Sequence, residues 1–538
     1  MTGAAKSGRL IPLNGRRSAS PTSADSGEAD EEGRKRSVAL QLVDLALDGY
    51  CLGVSEKDEP FAVSNARPHI ALPLRGGRTG FRQELAQRFF ELTDSVPSAQ
   101  ALTDAFTVLE GMAARNDRRR VYLRVAEADG TVYIDCGNAD CQTIRIANGS
   151  WEVVDTAPVL FRRTKITGSM ATPVRGGCLD DLWRFALVTD VDKPIVLAVL
   201  VHSLIQPDTP HAILTLVAEQ GQTKSTTTRT LVDLIDPSPV PLRRPPRDQE
   251  AWSTAACASW VVALDNLSEI PKWLCDLLCR AATGEGDLKR ALYTDDDVAV
   301  TQIQRCLILN GIDLGALPGD LVERMAFADL DRMKPGRRRT EAELAVEWQT
   351  VKPAIFGSLL DLAACVHERL AATVVEDPPR MADFAQILAA VDAELRTAGL
   401  SRYRERAGRM AADSLTSDEF IGRILALRYQ CSGVTAGRML ADLTPEGKDW
   451  RKPRDWPRSA RAVTTLLRRH APALRQLGWT VYDDGGRNKA NVTHWTVAPV
   501  ALDQGRDPGQ PSSPASSSQL RQHPVGELAH NLDDSPKE

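Results

Sequence analysis

The segment HAILTLVAEQGQTKSTTTRTLVDLI, residues 211–235, indicates most clearly how this chain of 538 residues folds. It begins with a mainly apolar run of the length of a buried strand, passes through the polar residues 219–223, and continues with a helical pattern. A strand that leads through a short turn into a helix is the repeating unit of parallel α/β sheets. The segment therefore predicts one strand and one helix of an α/β core.

The turn inside this segment resembles the phosphate-binding pattern Gly-x-x-x-x-Gly-Lys-Ser/Thr, in which backbone N–H groups surround phosphate oxygens. Lys224 and Ser225 occupy the lysine and hydroxyl positions, but Ala218 and Thr223 replace the two glycines. We expect Lys224 to neutralise phosphate oxygens of ATP and Ser225 to bind Mg²⁺. The alternative is a polar turn without a ligand. The predicted nucleotide-binding residues are Glu219, Gln220, Gly221, Gln222, Thr223, Lys224, Ser225 and Thr226.

A second apolar run, in SWVVALDN, ends at an acidic residue. Asp265 follows four apolar strand residues, at the place of the carboxylate that holds Mg²⁺ through water in P-loop ATPases. Asn266 stands where many such ATPases have the glutamate that polarises the attacking water. The catalytic base is therefore left unassigned, with Glu269 as the nearest carboxylate.

Two further residues complete the predicted catalytic set. A third apolar run, in QRCLILNGI, ends at Asn310, which is suited to sense the γ-phosphate or orient water. Arg324 follows in GDLVER, and we expect it to reach the nucleotide of a neighbouring subunit as an arginine finger does. The predicted catalytic residues are thus Asp265, Asn310 and Arg324, with Ser225 and Asp265 as metal ligands.

The segment TGEGDLKRALYTDDD, residues 283–297, resembles a motif of the superfamily 3 and poxvirus-type primase-helicase branch of AAA+ ATPases. The matching positions are Thr283, Gly286, Asp287, Arg290, Leu292 and Tyr293. A closer resemblance, to ATP-binding proteins of actinobacterial phages and integrated elements, rests on EQGQTKST, ALDN, TGEGDLKRALYTDDD, EWQTVKPAIFGSLLDLA and PRMADFA, over roughly residues 120–497. The resemblance implies a homo-oligomeric, hexameric ring that passes single-stranded DNA, with Lys289 as a DNA contact.

A basic stretch near the end of the chain, residues 451–478, predicts a helix with an apolar face at Val463, Leu466, Leu467 and Leu474. The following WTVYDDGGRNKANVTHWTV predicts a hairpin with a Gly-Gly turn. A helix followed by a basic hairpin is the winged-helix arrangement, which binds duplex DNA. The alternative is a solvated basic face on a helical cap. The predicted DNA contacts here are Arg458, Arg461, Arg468, Arg469 and Arg487.

The chain is expected to contain an α/β P-loop NTPase core of AAA+ type, an N-terminal α+β region, an all-helical region and a C-terminal winged-helix domain. Turn signals at Asp129-Gly130 and Asn148-Gly149 predict a small antiparallel sheet, with a positioning, DNA-facing or merely adaptor role. The predicted boundaries are a disordered tail at 1–36, the N-terminal domain at 37–182, the ATPase core at 183–335, the helical region at 336–450, the winged-helix domain at 451–500 and a disordered tail at 501–538.

Composition narrows the classes of protein only slightly. The net charge of −5 does not exclude DNA as a partner, because basic residues can be gathered on one surface. The 10 cysteines include no pair at the spacing of a zinc knuckle, and buried reduced thiols are expected. Without an apolar signal core or a run of about 20 apolar residues, a cytoplasmic protein with no membrane contact is expected.

Three functions remain open from the sequence. The first is an ATP-dependent DNA-translocating motor or helicase of a phage or mobile element. The second is a nucleotide-regulated switch or defence ATPase that binds DNA without unwinding it. The third is a non-hydrolysing P-loop scaffold. Turnover of ATP separates the third from the others, and strand displacement separates the first from the second.

Overall fold

The computed structural model describes residues 36–75, 80–218, 223–290, 298–311, 317–332, 340–447, 450–453, 456–485 and 492–500. Its α-helices are α1 Val38–Gly49, α2 Phe81–Thr93, α3 Ala99–Ala113, α4 Lys193–Ile205, α5 Lys224–Ile235, α6 Gln249–Ala258, α7 Lys272–Thr283, α8 Gly319–Val322, α9 Glu341–Arg369, α10 Ala382–Leu395, α11 Gly399–Ser417, α12 Glu419–Ala426, α13 Ala436–Leu443 and α14 Ala460–Gln476. Short 3-10 helices span Leu179–Arg184 and Leu370–Ala372.

The strands are β1 Tyr50–Ser55, β2 Pro60–Ser64, β3 Ala71–Pro73, β4 Arg118–Arg119, β5 Val121–Tyr122, β6 Val125–Ala128, β7 Thr131–Asp135, β8 Thr143–Ala147, β9 Ser150–Val154, β10 Leu160–Phe161, β11 Ile213–Val217, β12 Val261–Leu267, β13 Gly286–Arg290, β14 Val298–Gln302, β15 Cys306–Gly311, β16 Met325–Asp329, β17 Cys431–Thr435, β18 Trp479–Asp483 and β19 His494–Pro499.

The centre of the molecule is a parallel sheet whose described strands lie in the order β12-β15-β11-β16. Each strand is an apolar run that is buried along nearly its whole length. Such continuous burial is typical of parallel strands that are covered on both faces. The sheet confirms the predicted parallel α/β core, and it places β15 between β11 and β12, which precede it in the chain.

Helix α4 lies inside the core, because every one of its residues from Pro194 to Ile205 is buried. It packs against α5, α9, α10 and α11, so that the helical region predicted downstream covers one side of the sheet. Its apolar surface on all sides is typical of a helix enclosed by protein. Within the described part of the chain, none of the helices combines the length and apolarity that crossing a bilayer requires.

The antiparallel sheet predicted in the N-terminal region is present as β6-β7-β8-β9. Its first and third turns lie at Asp129-Gly130 and Asn148-Gly149, with φ of 51° and 70°, and of 51° and 65°. Positive φ at both central residues is the geometry for which Asn-Gly and Asp-Gly are favoured in two-residue hairpins. Helices α1, α2 and α3 form a separate hydrophobic core with the sheet that contains β1 and β2.

A buried ion pair joins this N-terminal sheet to the parallel sheet. Arg124, which is 1% exposed, contacts Asp236 at the end of α5 with an Nε–Oδ1 distance of 2.8 Å. The other carboxylate oxygen of Asp236 accepts hydrogen bonds from the backbone N–H groups of Trp260 and Val261, where β12 begins. Apolar residues of β6 to β9 also share one core with α4 and α9. The hydrophobic core therefore continues across the predicted domain boundary at residue 182. The sequence could not show this, because the alternation of apolar and polar residues along a strand does not indicate which element covers its apolar face.

The C-terminal unit begins earlier than residue 451. Helices α12, α13 and α14 pack on an antiparallel sheet in the order β17-β19-β18, around one hydrophobic cluster that includes Phe420, Met439 and Trp495. The predicted basic helix and hairpin are confirmed as α14 and β18–β19. Residues 419–443 belong with them because their apolar faces close this core and not that of the helical region.

Candidate functional site

Three of the predicted site residues, Lys224, Asp265 and Asn310, lie at the carboxyl edge of the parallel sheet. Asp265 lies near the end of β12, Asn310 near the end of β15, and the strand before Lys224, β11, ends at Val217. In open α/β sheets, ligands bind in the crevice outside the carboxyl ends of the strands. These motifs are separate in the sequence but lie close together in the fold.

Lys224 is the first residue of α5 and is 8% exposed. Its Nζ donates a hydrogen bond to the carbonyl oxygen of Ala218 at 2.9 Å, so the side chain turns back toward the end of β11. Burial lowers the pKa of the Lys224 ammonium, and the carboxylate of Asp265 acts in the opposite direction. Glu219, Gln220, Gly221 and Gln222 lie outside the described residues.

Ser225 and Asp265 are in direct contact. The Ser225 hydroxyl donates a hydrogen bond to Oδ1 of Asp265 at 2.8 Å, although 40 residues separate them in the chain. A hydroxyl and a carboxylate are oxygen donors of the kind that Mg²⁺ prefers, and Mg²⁺ commonly keeps several waters in addition. The pair therefore fits the magnesium ligands expected from the sequence.

Asn310 connects two parts of the site and is 1% exposed. Its Nδ2 donates to the Thr228 hydroxyl on α5 at 2.8 Å, and its Oδ1 accepts from the backbone N–H of Asn266 at 2.9 Å. Asn266 has a φ of 60°, a left-handed conformation that asparagine adopts more readily than most residues. Asn310 thus holds the backbone after Asp265 in place, while its predicted action on water stays a prediction.

Arg324 lies at the opposite edge of the sheet. It directly precedes β16, and its carbonyl oxygen accepts a hydrogen bond from the N–H of Ile213, the first residue of β11. The side chain is buried and contacts Asp320 on α8, with an Nη1–Oδ1 distance of 2.6 Å. Within its own subunit, Arg324 is therefore buried and lies away from the carboxyl edge, and its expected action on the nucleotide of a neighbouring subunit stays a prediction.

A charged cluster at the carboxyl edge was not foreseen. Asp329 ends β16 next to β11, and Arg406 of α11 donates to both of its carboxylate oxygens. Arg402, one helical turn earlier, donates from Nε to the buried Asp192 at 2.8 Å. The hydrogen bond to Asp192 raises the pKa of Arg402. In the sequence, the spacing of four between Arg402 and Arg406 places them on one helical face, but it does not indicate which carboxylates they contact.

A cavity of about 920 Å³ opens beside the first turns of α5. Thr223, directly before α5, and Thr226, in its first turn, contribute to the wall. Phe185 and Trp348 contribute aromatic rings, with centroids 5.1 Å apart. None of the sequence patterns indicated this space, because its walls come from three separate parts of the chain.

The segment that carries the AAA+ resemblance forms an antiparallel hairpin, in which β13 pairs with β14. It leaves the sheet at the amino edge, since Ala281 and Ala282 of α7 accept hydrogen bonds from Arg305, directly before β15, and from His211, two residues before β11. Lys289 lies on β13 opposite Ala299. Leu292 and Tyr293 lie outside the described residues.

The described DNA contacts predicted for the C-terminal unit lie on α14 or in the residues directly before it. Arg458, Arg461 and Arg469 are exposed. Arg468 is exposed as well, but its Nε donates to Asp483 of β18 at 3.0 Å. Arg487 lies outside the described residues.

The solved structures that are similar to the chain include the following two. SCCmec type IV Cch, described as an active helicase, is 13% identical, and the match covers 84% of this chain and 93% of that one with a TM-score of 0.43. The apo structure of the NrS-1 C-terminal region is 13% identical, with 86% and 100% covered and a TM-score of 0.32. No curated protein is similar enough to count as a relative.

Two protein families match consecutive parts of the chain. Residues 179–416 match the family described as Actinomycete integrative conjugative element replication protein, and residues 421–507 match the AICE RepA C-terminal domain. The boundary between the matches coincides with the start of α12 and of the C-terminal unit. Residues 179–416 and 421–507 are thus similar to replication proteins of actinomycete integrative conjugative elements.

Proposed function

We propose that the chain is an ATP-hydrolysing motor that acts on DNA during replication of a mobile element. The observation that carries the proposal is the contact between Ser225 and Asp265, which joins the phosphate-loop hydroxyl to the acid that ends a neighbouring apolar run. A polar turn without a ligand has no need of that contact. The family match to replication proteins supplies the setting.

The nucleotide is held by the start of α5. The first turn of a helix presents backbone N–H groups and a positive dipole end, which favour phosphate. Lys224 adds an ammonium group whose pKa is lowered by burial. Negatively charged phosphate oxygens beside it would favour the charged form of the group. Mg²⁺ held by Ser225 and Asp265 would neutralise the charge that develops on the leaving phosphate.

The attacking water requires an orienting group, and the position after Asp265 supplies an amide instead of a carboxylate. Asn310 accepts a hydrogen bond from the backbone N–H of Asn266 and so fixes the point at this edge from which the Asn266 side chain extends. An amide can orient a water but does not accept its proton, as the glutamine of Ras-type GTPases illustrates. We infer that the chain hydrolyses ATP slowly unless DNA or a second subunit completes the site.

The DNA-binding element is the C-terminal unit, in which α12, β17, α13, α14 and the β18–β19 hairpin follow one another as in a winged helix. Arg458, Arg461 and Arg469 lie on or just before α14, which would enter the major groove of duplex DNA while the hairpin contacts phosphate. The hairpin β13–β14 would contact single-stranded DNA. Assembly into an AAA+ ring of six copies belongs to the same proposal.

A nucleotide-regulated DNA-binding switch is the second candidate, and Asn266 favours it. An amide at this position would let ATP bind and persist, because the water is not deprotonated by a neighbouring carboxylate. The motor and the switch differ in turnover and not in the ligands that they bind.

The decisive measurement is ATP turnover by the full chain with and without single-stranded DNA, accompanied by a strand-displacement assay. A motor is expected to turn over ATP faster with DNA and to separate strands. DNA binding with bound, unhydrolysed ATP would support the switch. Retention of ATP binding at its original affinity by Lys224→Ala would remove the phosphate-loop assignment that both share.

The duplex contact is tested by salt dependence. Each phosphate contact contributes about −0.9 to the log–log slope of affinity against salt concentration. Replacing Arg461 and Arg469 together by alanine should therefore make the slope shallower by about 2 units. Arg369→Ala, on α9 and paired with Glu394, serves as the control. A slope unchanged in the double variant would mean that α14 does not face DNA.

A further inference from the structure

Strand β12 contains a β-bulge where it carries the proposed magnesium ligand. Asp265 and Asn266 of β12 lie opposite the single residue Asn310 of β15, because the register between the two strands shifts after Leu264. A bulge interrupts the ladder of backbone hydrogen bonds and changes the direction of the side chains that it carries, and bulges are frequent next to active sites. The positions of Asp265 and Asn266 therefore depend on the groups that hold the bulge.

The side chain of Asn310 holds this bulge. Its Oδ1 atom accepts a hydrogen bond from the backbone N–H of Asn266 at 2.9 Å. Asn266 has a φ of 60°, an uncommon backbone conformation that persists only when the surrounding structure maintains it. Because Asn310 is almost fully buried, water does not compete for this hydrogen bond. The orientation of the Asn310 amide therefore determines the backbone position of Asn266.

Thr228 of α5 fixes the orientation of the Asn310 amide. Its hydroxyl accepts a hydrogen bond from Nδ2 of Asn310 at 2.8 Å and donates one to the carbonyl oxygen of Lys224 at 2.8 Å. A hydroxyl can donate one hydrogen bond and accept another, so both contacts form at the same time. Thr228 is fully buried, which excludes water from both contacts.

These contacts form a continuous chain of hydrogen bonds from the first turn of α5 to the bulge. A threonine hydroxyl in a helix often bonds to the carbonyl oxygen four residues earlier, so the contact with Lys224 alone would be a local one. The contact with Asn310, which lies 82 residues away, connects the helix to the strand. Burial of a threonine in α5 does not by itself create such a connection. The adjacent Thr227 is also fully buried, and among the described residues its hydroxyl has no hydrogen-bond partner.

We propose that Thr228 is a positioning residue for hydrolysis, which transmits the position of the first turn of α5 to the bulge that carries Asp265 and Asn266. The inference rests on the proposed function, because it takes the phosphates of ATP to lie at the start of α5. Phosphates bound there hold the first turn, and the chain of hydrogen bonds through Thr228 then holds Asn266, whose amide orients the attacking water. Thr228 acts through Asn310 and does not itself contact the nucleotide.

The test compares Thr228→Val with Thr228→Ser in the full chain, with single-stranded DNA present. Valine has nearly the shape of threonine but no hydroxyl, whereas serine keeps the hydroxyl. We expect Thr228→Val to lower kcat for ATP hydrolysis about 10–100-fold, the range found for groups that orient the ligands of a metal. KM and the ATP affinity measured by calorimetry should stay within about twofold of the parent, because the lost interaction acts in the transition state. Thr228→Ser should recover most of the turnover.

Thr227→Val is the matched control, because Thr227 is the next residue of α5 and is equally buried. This change removes a hydroxyl without removing a hydrogen bond within the described part of the chain, so its turnover should match that of the parent. Thr228→Ala also lacks the hydroxyl and cannot crowd its neighbours. It should show the same fall in kcat, and it provides the test if the valine variant does not fold.

Equal turnover of Thr228→Val and Thr227→Val would overturn the positioning role, as would a serine variant that is as slow as the valine variant. A fall in ATP affinity as large as the fall in kcat would also overturn it, since Thr228 would then support binding and not hydrolysis. In each of these cases the parent hydrolyses ATP, and the proposed function stands. A parent that binds ATP but does not hydrolyse it, even in a single turnover, would exclude both the motor and the positioning role.

Discussion

The two edges of the parallel sheet differ in chemistry. At the carboxyl edge, β12, β15 and β16 carry Asp265, Asn310 and Asp329, and each of these contacts a polar partner from another element. At the amino edge lie Arg324, which is buried against α8, and the β13–β14 hairpin. A polar residue that follows a parallel strand lies at the carboxyl edge, whereas one that precedes a strand lies at the amino edge. The order of motifs along the chain does not distinguish the two cases unless the ends of the strands are known.

The largest effect is expected from removing the ammonium group of the carboxyl edge. Lys224→Ala should lower ATP affinity about 100-fold, since hydrogen bonds to charged groups contribute about 1.5–3 kcal/mol each, and hydrolysis should be abolished. Nucleotide binding followed by calorimetry would measure this. Lys165→Ala, an exposed lysine away from this edge, is the control and should bind normally.

Asp265→Asn should separate binding from hydrolysis at the same edge. The amide keeps the volume and accepts a hydrogen bond from Ser225, but it lacks the charge that attracts Mg²⁺. Turnover is expected to fall about 100-fold, in the range found for loss of one electrostatic group in an active site. ATP binding in EDTA should match that of the parent in EDTA. An equal loss of binding with and without Mg²⁺ would contradict a metal role.

Arg324→Ala tests the other edge. Its loss leaves a buried site beside Asp320 without its guanidinium, and we expect a loss of about 1–3 kcal/mol in the free energy of unfolding, measured by denaturant titration. Turnover per folded molecule should be retained. Mixing this variant with Lys224→Ala should give no more activity than the sum of the two. Recovery of turnover in the mixture would instead make Arg324 a residue that acts between subunits.

The smallest effect is expected at the hairpin. Lys289→Ala should keep basal turnover and reduce its stimulation by single-stranded DNA by a few-fold, since one phosphate contact is removed among several. Turnover measured against DNA concentration at two salt concentrations would show it. Stimulation equal to that of the parent would assign the single-strand contact to another surface and weaken the division of tasks between the edges.

The strands and their polar ends could be predicted because each is an apolar run that stops at one chemical residue. Asp265 and Asn310 were found in this way, as were the turns at Asp129-Gly130 and Asn148-Gly149, whose backbone conformation selects those residues. These features are local. A window of about ten residues contains all that determines them.

The remaining parts of the site depend on neighbours distant in the chain. Arg406 contacts Asp329 across 77 residues, and Trp348 contacts Asp233 across 115. Neither partner has a motif of its own. The burial of Arg324 could not be predicted either, because the sequence did not show that a strand begins immediately after it.

The pairing of Arg124 with Asp236 bears on how such a protein can change by recombination. The two residues lie 112 positions apart. Recombination between two diverged genes, with the crossover between these positions, could therefore give a protein that has only one of the two residues. A buried charge without its partner costs about 3–5 kcal/mol, a large part of the 5–15 kcal/mol that keeps a typical domain folded. The N-terminal sheet and the phosphate-loop helix are therefore expected to be inherited as one block, although the replication-protein family match begins only at residue 179.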